Sequence, residues 1–197
     1  MRVGLIILAA GGSTRLAAPK QLLPVGGRSF LRHAADTALA SVCRPVVVVL
    51  GAKAEELQTE LAGLDVTIVN NTQWQRGLGS SIRAGMAAIE AASCEAVAIM
   101  LCDQPLVSAQ LLNRLVETKA GVAAAEYGGT VGVPALFTAE FFAELTALPG
   151  DTGAKGLLLR HAARIARVPF PEAALDIDTP EDYQRFRNYE RQSSLAD

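Results

Sequence analysis

Directly after an aliphatic run near the start of the chain, residues 8–24 read LAAGGSTRLAAPKQLLP, with two adjacent glycines, one arginine and one lysine. Gly11 and Gly12 carry no Cβ, so the backbone can come close to a ligand and successive N–H groups can form an anion nest. Arg15 offers a planar fork for two phosphate oxygens, and Lys20 a point charge for another. Together they suit a triphosphate. Neither common phosphate-loop pattern is present: GxxxxGK[ST] has no match, and Ser13 occupies the third position of GxGxxG. A plain glycine turn carrying two solvated cations fits the same residues, and the loop alone does not separate the two readings.

A second group lies in MLCDQP, residues 100–105, where Asp103 ends an apolar run. A carboxylate there suits Mg2+, which takes one or two carboxylates together with phosphate oxygens. Taken alone, Asp103 better suits a cap on the turn before Pro105. Two cations and a metal-binding acid on one rim would point to phosphoryl or nucleotidyl transfer. A further acid is available in LDIDTPEDY, where Asp176 and Asp178 are two apart and share a face if extended. Asp178 is as well placed to cap a helix opening at Pro180. In NNTQWQRGLGSSIRAG, a helix starting near Gly79 and Ser80 offers amides and the hydroxyls of Ser80 and Ser81 to a ribose, base or phosphate. Trp74, the only tryptophan, fits either ring stacking or a core anchor. Asp151 in PGDTGAKG reads as an N-cap or as part of a lid or acceptor-side loop.

The elements that must position these groups alternate. Residues 3–9, 45–51, 65–70 and 96–102 are short, continuous and β-branched, as strands buried on both faces are. Helical spacing follows each, over 29–41 with Ser29 as cap, 53–64, 80–92 and 108–119 with Ser108 as cap. The rhythm predicts a Rossmann-like, doubly wound, mostly parallel α/β sheet in three layers. In such sheets ligands sit beyond the carboxyl ends of the strands, which is where residues 11–20, 51–53, 70–81 and 103–105 fall. The second half is less regular. Two strands over 121–137 that turn at glycines and are suited to antiparallel pairing are followed by helices over 138–148 and 154–162, a strand over 163–170, and a helix from Pro180. One domain over 1–197 is expected, with a frayed tail from about residue 192.

Composition narrows the classes. Half the residues are hydrophobic, 19% are charged and the net charge is −2, which fits a globular chain and excludes general nucleic-acid binding. Cys43, Cys94 and Cys102 have no metal-ligand spacing, and His33 and His161 are isolated, so buried thiols in a reducing cytoplasm are expected. No segment approaches the ~20 apolar residues of a membrane helix, and the N-terminal run is too short for a signal peptide. No membrane association and a cytoplasmic location follow as expectations.

The motifs in register resemble the nucleotidyltransferases of the molybdenum-cofactor type, and most closely the molybdenum cofactor cytidylyltransferases. The family signature is similar to LAAGxSxRxGxxKxLLP, matched here at Leu8, Ala9, Ala10, Gly11, Ser13, Arg15, Lys20 and residues 22–24. The N-x-x-W-x-x-G segment with its serines, DQP, GVPALF, GDTGAK and DIDTPEDY follow in order over nearly the whole chain. This resemblance implies transfer of CMP from CTP to the terminal phosphate of the molybdopterin cofactor, with release of pyrophosphate and Mg2+ as cofactor. It implies catalytic triphosphate binding by Arg15 and Lys20 and metal ligation by Asp103 and Asp178. Nucleotide contacts would come from Leu8, Ala9, Ala10, Gly11, Gly12, Ser13, Asn71, Gly79, Ser80 and Ser81. LAAG, as against LAGG, makes Ala10 the sign of CTP over GTP. A molybdoenzyme or its chaperone would receive the product. Two positions depart from the family: Ala17 replaces a glycine, and TVGV lacks a basic residue before Gly132. The second leaves the acceptor open, so another phosphate acceptor, a NAD(P)H-dependent oxidoreductase on the same fold, and a non-catalytic cofactor chaperone stand as alternatives.

Overall fold

The computed structural model describes residues 1–13, 18–174, 177 and 179–193. In chain order these form β1 (Val3–Ala9), a small hairpin of β2 (Pro24–Val25) and β3 (Arg28–Ser29), α1 (Phe30–Ala40), β4 (Val46–Leu50), α2 (Ala54–Thr59), β5 (Thr67–Asn70), α3 (Leu78–Ala91), β6 (Ala96–Leu101) and α4 (Ala109–Glu117). Then come β7 (Val122–Tyr127), β8 (Thr130–Thr138), α5 (Phe142–Thr146), α6 (Ala154–Arg160), β9 (Ile165–Pro169) and α7 (Pro180–Ser193).

Seven strands form one sheet in the order β5-β4-β1-β6-β8-β7-β9. β5, β4, β1 and β6 run parallel, whereas β8 is antiparallel to both β6 and β7. The parallel half explains its own sequence. Along β1, Leu5, Ile7 and Ala9 enter one core, and Ile6 and Leu8 enter the other. Both faces are therefore apolar, and the run is continuous where a half-exposed strand would alternate. The second-half strands are the expected antiparallel hairpin. Gly128 and Gly129, at φ +54° and +74°, make the tight turn that twists compatibly with its strands.

Helix starts follow their caps. The Ser29 hydroxyl accepts from the Arg32 N–H, and that of Ser108 from Leu111. α3 begins at Leu78, a little before the expected start. α2 is shorter than its periodicity predicts: it stops at Thr59, and Gly63 at φ +78° lies in the turns that replace its last residues. The Arg32 guanidinium donates to the Glu60 and Ala62 carbonyls there, at 3.2 and 3.0 Å.

Sequence reading missed the β2–β3 hairpin, which is too short to carry a periodicity. It helps build a third small core of Val25, Phe30, Ile177 and Phe186, on which α7 rests. The Phe30 and Phe186 rings meet edge to face at 5.7 Å. This packing brings Ile177 to the end of β6, where its N–H donates to the Asp103 carbonyl at 3.4 Å. Among the described residues, no helix is long and apolar enough to cross a membrane.

Candidate functional site

A cleft of about 410 Å³ opens beyond the carboxyl ends of β1 and β6 and reaches the start of α3. Leu8, Ala9, Ala10 and Gly11 form one side, with Lys20 and Gln21; Trp74, Gln75, Gly77, Leu78 and Ser81 form another; and Leu101, Cys102 and Asp103 close the β6 end. This is the position that sheet topology assigns to a ligand.

Asp103 is the focus of its charge. The residue is 5% exposed, and its Oδ2 accepts from the Lys20 ammonium in an ion pair spanning 83 positions of chain. Its Oδ1 is buried with no hydrogen-bond partner among the described residues. An unsatisfied buried acceptor of this kind costs about 1–3 kcal/mol. That orphaned carboxylate oxygen fits a hard divalent cation, which seeks oxygen ligands. No group of three His, Cys, Asp or Glu side chains is assembled among the described residues. Asp178 and Asp176 lie outside the described residues, as do Arg15 and Ala17 in the first loop.

The glycine loop is shaped by a residue that sequence reading passed over. Gln21 is 1% exposed and donates from Nε2 to the Ala9 carbonyl (3.0 Å) and to that of Gly11 (2.7 Å). Its Oε1 accepts from the Ser13 hydroxyl at 3.2 Å, and the Ser13 Oγ accepts from the Lys20 N–H at 2.8 Å. The one available signal was an uncharged polar residue between Lys20 and the apolar Leu22–Leu23 pair. Gly12 faces the indole of Trp74: a Cβ built on it would lie 3.1 Å from two ring carbons. Trp74 is half-buried and its ring forms part of the cleft wall, so it is neither a deep core anchor nor a free surface ring.

At the start of α3 the expected ligand donors are engaged by the protein. The Gly79 N–H donates to the Gly150 carbonyl at 2.8 Å, and the Ser80 N–H to Gly77 at 3.1 Å. Asn71 donates from Nδ2 to Ser80 Oγ at 2.9 Å and to Ser81 Oγ at 3.0 Å, and Ser80 Oγ donates on to the Gly77 carbonyl. Gly79 is required by packing, because a Cβ there would run into the Pro149 carbonyl oxygen. The residues 149–153 are thereby docked against the cleft wall. Asp151 is not the cap of α6; that position belongs to Gly153, which has no side-chain cap bond.

Of the residues singled out by sequence, the cleft brings together Leu8, Ala9, Ala10, Gly11, Lys20, Trp74, Ser81 and Asp103. Gly12, Ser13, Asn71, Gly79 and Ser80 do not line it, and they shape the segments that do. Cys102 lines the cleft at 3% exposure, and burial, aided by the adjacent Asp103 charge, pushes its thiol up, so it stays protonated and inert.

Comparison with known proteins gives the family. A family model described as the MobA-like NTP transferase domain matches residues 5–165. Nicotine blue oxidoreductase of Paenarthrobacter nicotinovorans is 40% identical over 111 residues, 56% of this chain and 53% of that protein, so the match spans about half that relative's length. The purine catabolism protein PucB of Bacillus subtilis is 29% identical over 195 residues, 92% of this chain and 94% of that one. The crystal structure of Rv0371C in complex with manganese, from Mycobacterium tuberculosis H37Rv, superimposes with a TM-score of 0.73 at 30% identity, covering 94% of this chain and 97% of that one. The motif resemblance read from the sequence and the sheet built from it thus lead to one conclusion: the chain belongs to the MobA-like NTP transferase domain family.

Proposed function

We propose that the protein is a nucleotidyltransferase that moves CMP from CTP to the terminal phosphate of the molybdopterin cofactor and releases pyrophosphate in a Mg2+-dependent reaction. The observation that carries the reading is the meeting of Lys20 and Asp103 beside the glycine loop, with one buried Asp103 oxygen left over for a cation. The attacking group is already an anionic phosphate, so neither a covalent intermediate nor a general base is required. What the chain must supply is position and countercharge. Arg15 and Lys20 bind the triphosphate and neutralise charge as pyrophosphate departs. Lys20 must trade its Asp103 contact for phosphate, which ties substrate entry to release of that carboxylate. Asp103, with Asp178, would hold the divalent ion, and the ion supplies charge neutralisation on the triphosphate. A related protein solved in complex with manganese supports a divalent metal as cofactor.

The choice of cytidine rests on the resemblance at Ala10, which is 5% exposed and lines the cleft. The remaining contacts to the nucleotide are assigned to Leu8, Ala9, Ala10, Gly11 and Ser81, with Gly12, Ser13, Asn71, Gly79 and Ser80 holding the segments that carry them. The reading includes one domain over 1–197, a cytoplasmic location and a molybdoenzyme or its chaperone as recipient.

A pyrophosphate-release assay with each nucleoside triphosphate in Mg2+, with and without molybdopterin cofactor, tests this. Release with CTP and cofactor alone is expected. Arg15→Ala or Asp103→Ala should each lower the rate by about 10²–10³ or more while the protein stays folded. Full activity in the Asp103 variant overturns the metal assignment. The similarity to nicotine blue oxidoreductase favours a second reading, reduction of a small dye-like substrate by a nicotinamide cofactor. NAD(P)H oxidation without release from any triphosphate would establish that reading in place of the first.

A further inference from the structure

Gln21 belongs neither to the cationic pair nor to the metal-binding acids, yet one side-chain amide of Gln21 reaches three loop residues. A glutamine amide has two N–H donors and one oxygen acceptor. Here the donors go to the carbonyls of Ala9 and Gly11, and the oxygen accepts from Ser13. The three partners are alternate residues. A trans peptide points its C=O and N–H in opposite directions. With the Ala9 and Gly11 carbonyls held toward Gln21, the N–H groups of Ala10 and Gly12 face away from it. Ser13 sits at φ +53°, a left-handed conformation unfavourable for a residue with a Cβ, and its hydroxyl links the loop to the backbone of Lys20.

We propose that Gln21 is the positioning residue of the phosphate loop: its amide orients the backbone of residues 9–13 for the triphosphate and, through Ser13, places Lys20. The inference rests on the reading of this cleft as a triphosphate site. Two adjacent glycines leave the loop many conformations to lose when a ligand binds. A side chain that holds alternate carbonyls removes that cost in advance, which raises affinity without touching the ligand. A glutamine that merely satisfied polar groups in the core would affect stability and leave the substrate requirement of the folded enzyme unchanged.

The experiment uses the full chain and three variants, Gln21→Leu, Gln21→Glu and Ser13→Ala, with KM for CTP and kcat from pyrophosphate release and thermal unfolding alongside. Gln21→Leu is expected to raise KM for CTP tenfold or more, beyond any change in the folded fraction. In Gln21→Glu a carboxylate faces two carbonyl oxygens, so its proton affinity rises, and the protonated form regains one donor. Its KM relative to wild type should therefore shrink as pH falls from 8 to 6. Ser13→Ala keeps both carbonyl bonds and should raise KM several-fold with little change in melting temperature. An unchanged KM in the glutamine variants, or a Gln21→Glu ratio indifferent to pH, overturns the proposal. An unchanged KM in Ser13→Ala overturns the link to Lys20. If Gln21→Leu does not fold, the other two variants decide. Wild-type protein that neither binds nor turns over any triphosphate refutes the cleft reading itself and this inference with it, an outcome distinct from a wild type that works and variants that match it.

Discussion

Gly79→Ala sets two physical effects against each other, and the structure fixes the sign. Gly79 is the second residue of α3, where alanine is favoured over glycine by about 1 kcal/mol on helix propensity. On that ground alone the variant would be more stable. The built Cβ, however, runs into the Pro149 carbonyl oxygen and lies 2.9 Å from the Thr152 oxygen and 3.0 Å from the Pro149 carbon. All three are backbone atoms, so no side chain can swing aside. Over-packing of this kind costs about 1–3 kcal/mol. Pushing the loop away also strains the Gly79 N–H to Gly150 bond, 2.8 Å long, worth about 1 kcal/mol. The sum is a loss of about 2 kcal/mol, or a melting temperature lower by about 4–8 °C for a chain of this size. Gly156→Ala in α6 is the control: its new Cβ would lie 3.0 Å from the Thr152 methyl, the end of a side chain that can turn. That variant should gain up to about 1 kcal/mol. Thermal unfolding followed by circular dichroism reads both. A Gly79→Ala protein as stable as wild type, or more so, refutes the backbone-on-backbone docking of residues 149–153 against the cleft wall.

Three other expectations follow from local contacts. Ser108→Ala removes the α4 cap and should cost about 1 kcal/mol, with a melting temperature lower by about 2–4 °C. All three cysteines are buried, and burial pushes each thiol up, so the native protein should resist a thiol reagent at pH 8 and yield three thiols only in denaturant; rapid native labelling of any one contradicts the packing. The His161 hydrogen bond, followed by that from Arg160, holds the Glu144 carboxyl below the usual carboxylate range. Because the folded value is depressed, this support is present above the unfolded value near 4.5 and lost as pH falls through the folded one. Glu144→Gln should therefore flatten the loss of stability below about pH 4.5, weakly and less so at high salt, since the pair is on the surface; an identical acid limb in the variant argues against the contact.

The parallel half of the sheet was legible because both its faces are buried. Val3–Ala9 and Val46–Leu50 announce themselves as unbroken apolar runs, and a residue after such a run stands on the ligand rim by topology alone. Lys20 and Asp103 were therefore recognisable as partners in one site before their contact was seen. Ser29 and Ser108 were readable as caps because a cap is a local event between residues three apart. The roles of Gln21 and Gly79 and the β2–β3 hairpin were not readable: the Gln21 contacts follow no helix or strand period, the partner of Gly79 is Gly150, and the hairpin is too short to carry a period.

By itself the sequence determined the fold class, the family and the composition of the phosphate loop, since these rest on periodicity and on residue types in fixed order. Only the tertiary structure decided which of those residues face the cleft. It turned Asn71, Gly79 and Ser80 to the support of the wall, left Ser81 in the opening, made Gln21 the clasp of the glycine loop, and left one Asp103 oxygen buried without a partner among the described residues. Those assignments depend on which partner a buried donor or carbonyl meets once the chain is folded, 9 residues away for Asn71 and Ser80 and 83 for Lys20 and Asp103, and burial obliges each polar group to find one or to hold its place for a ligand.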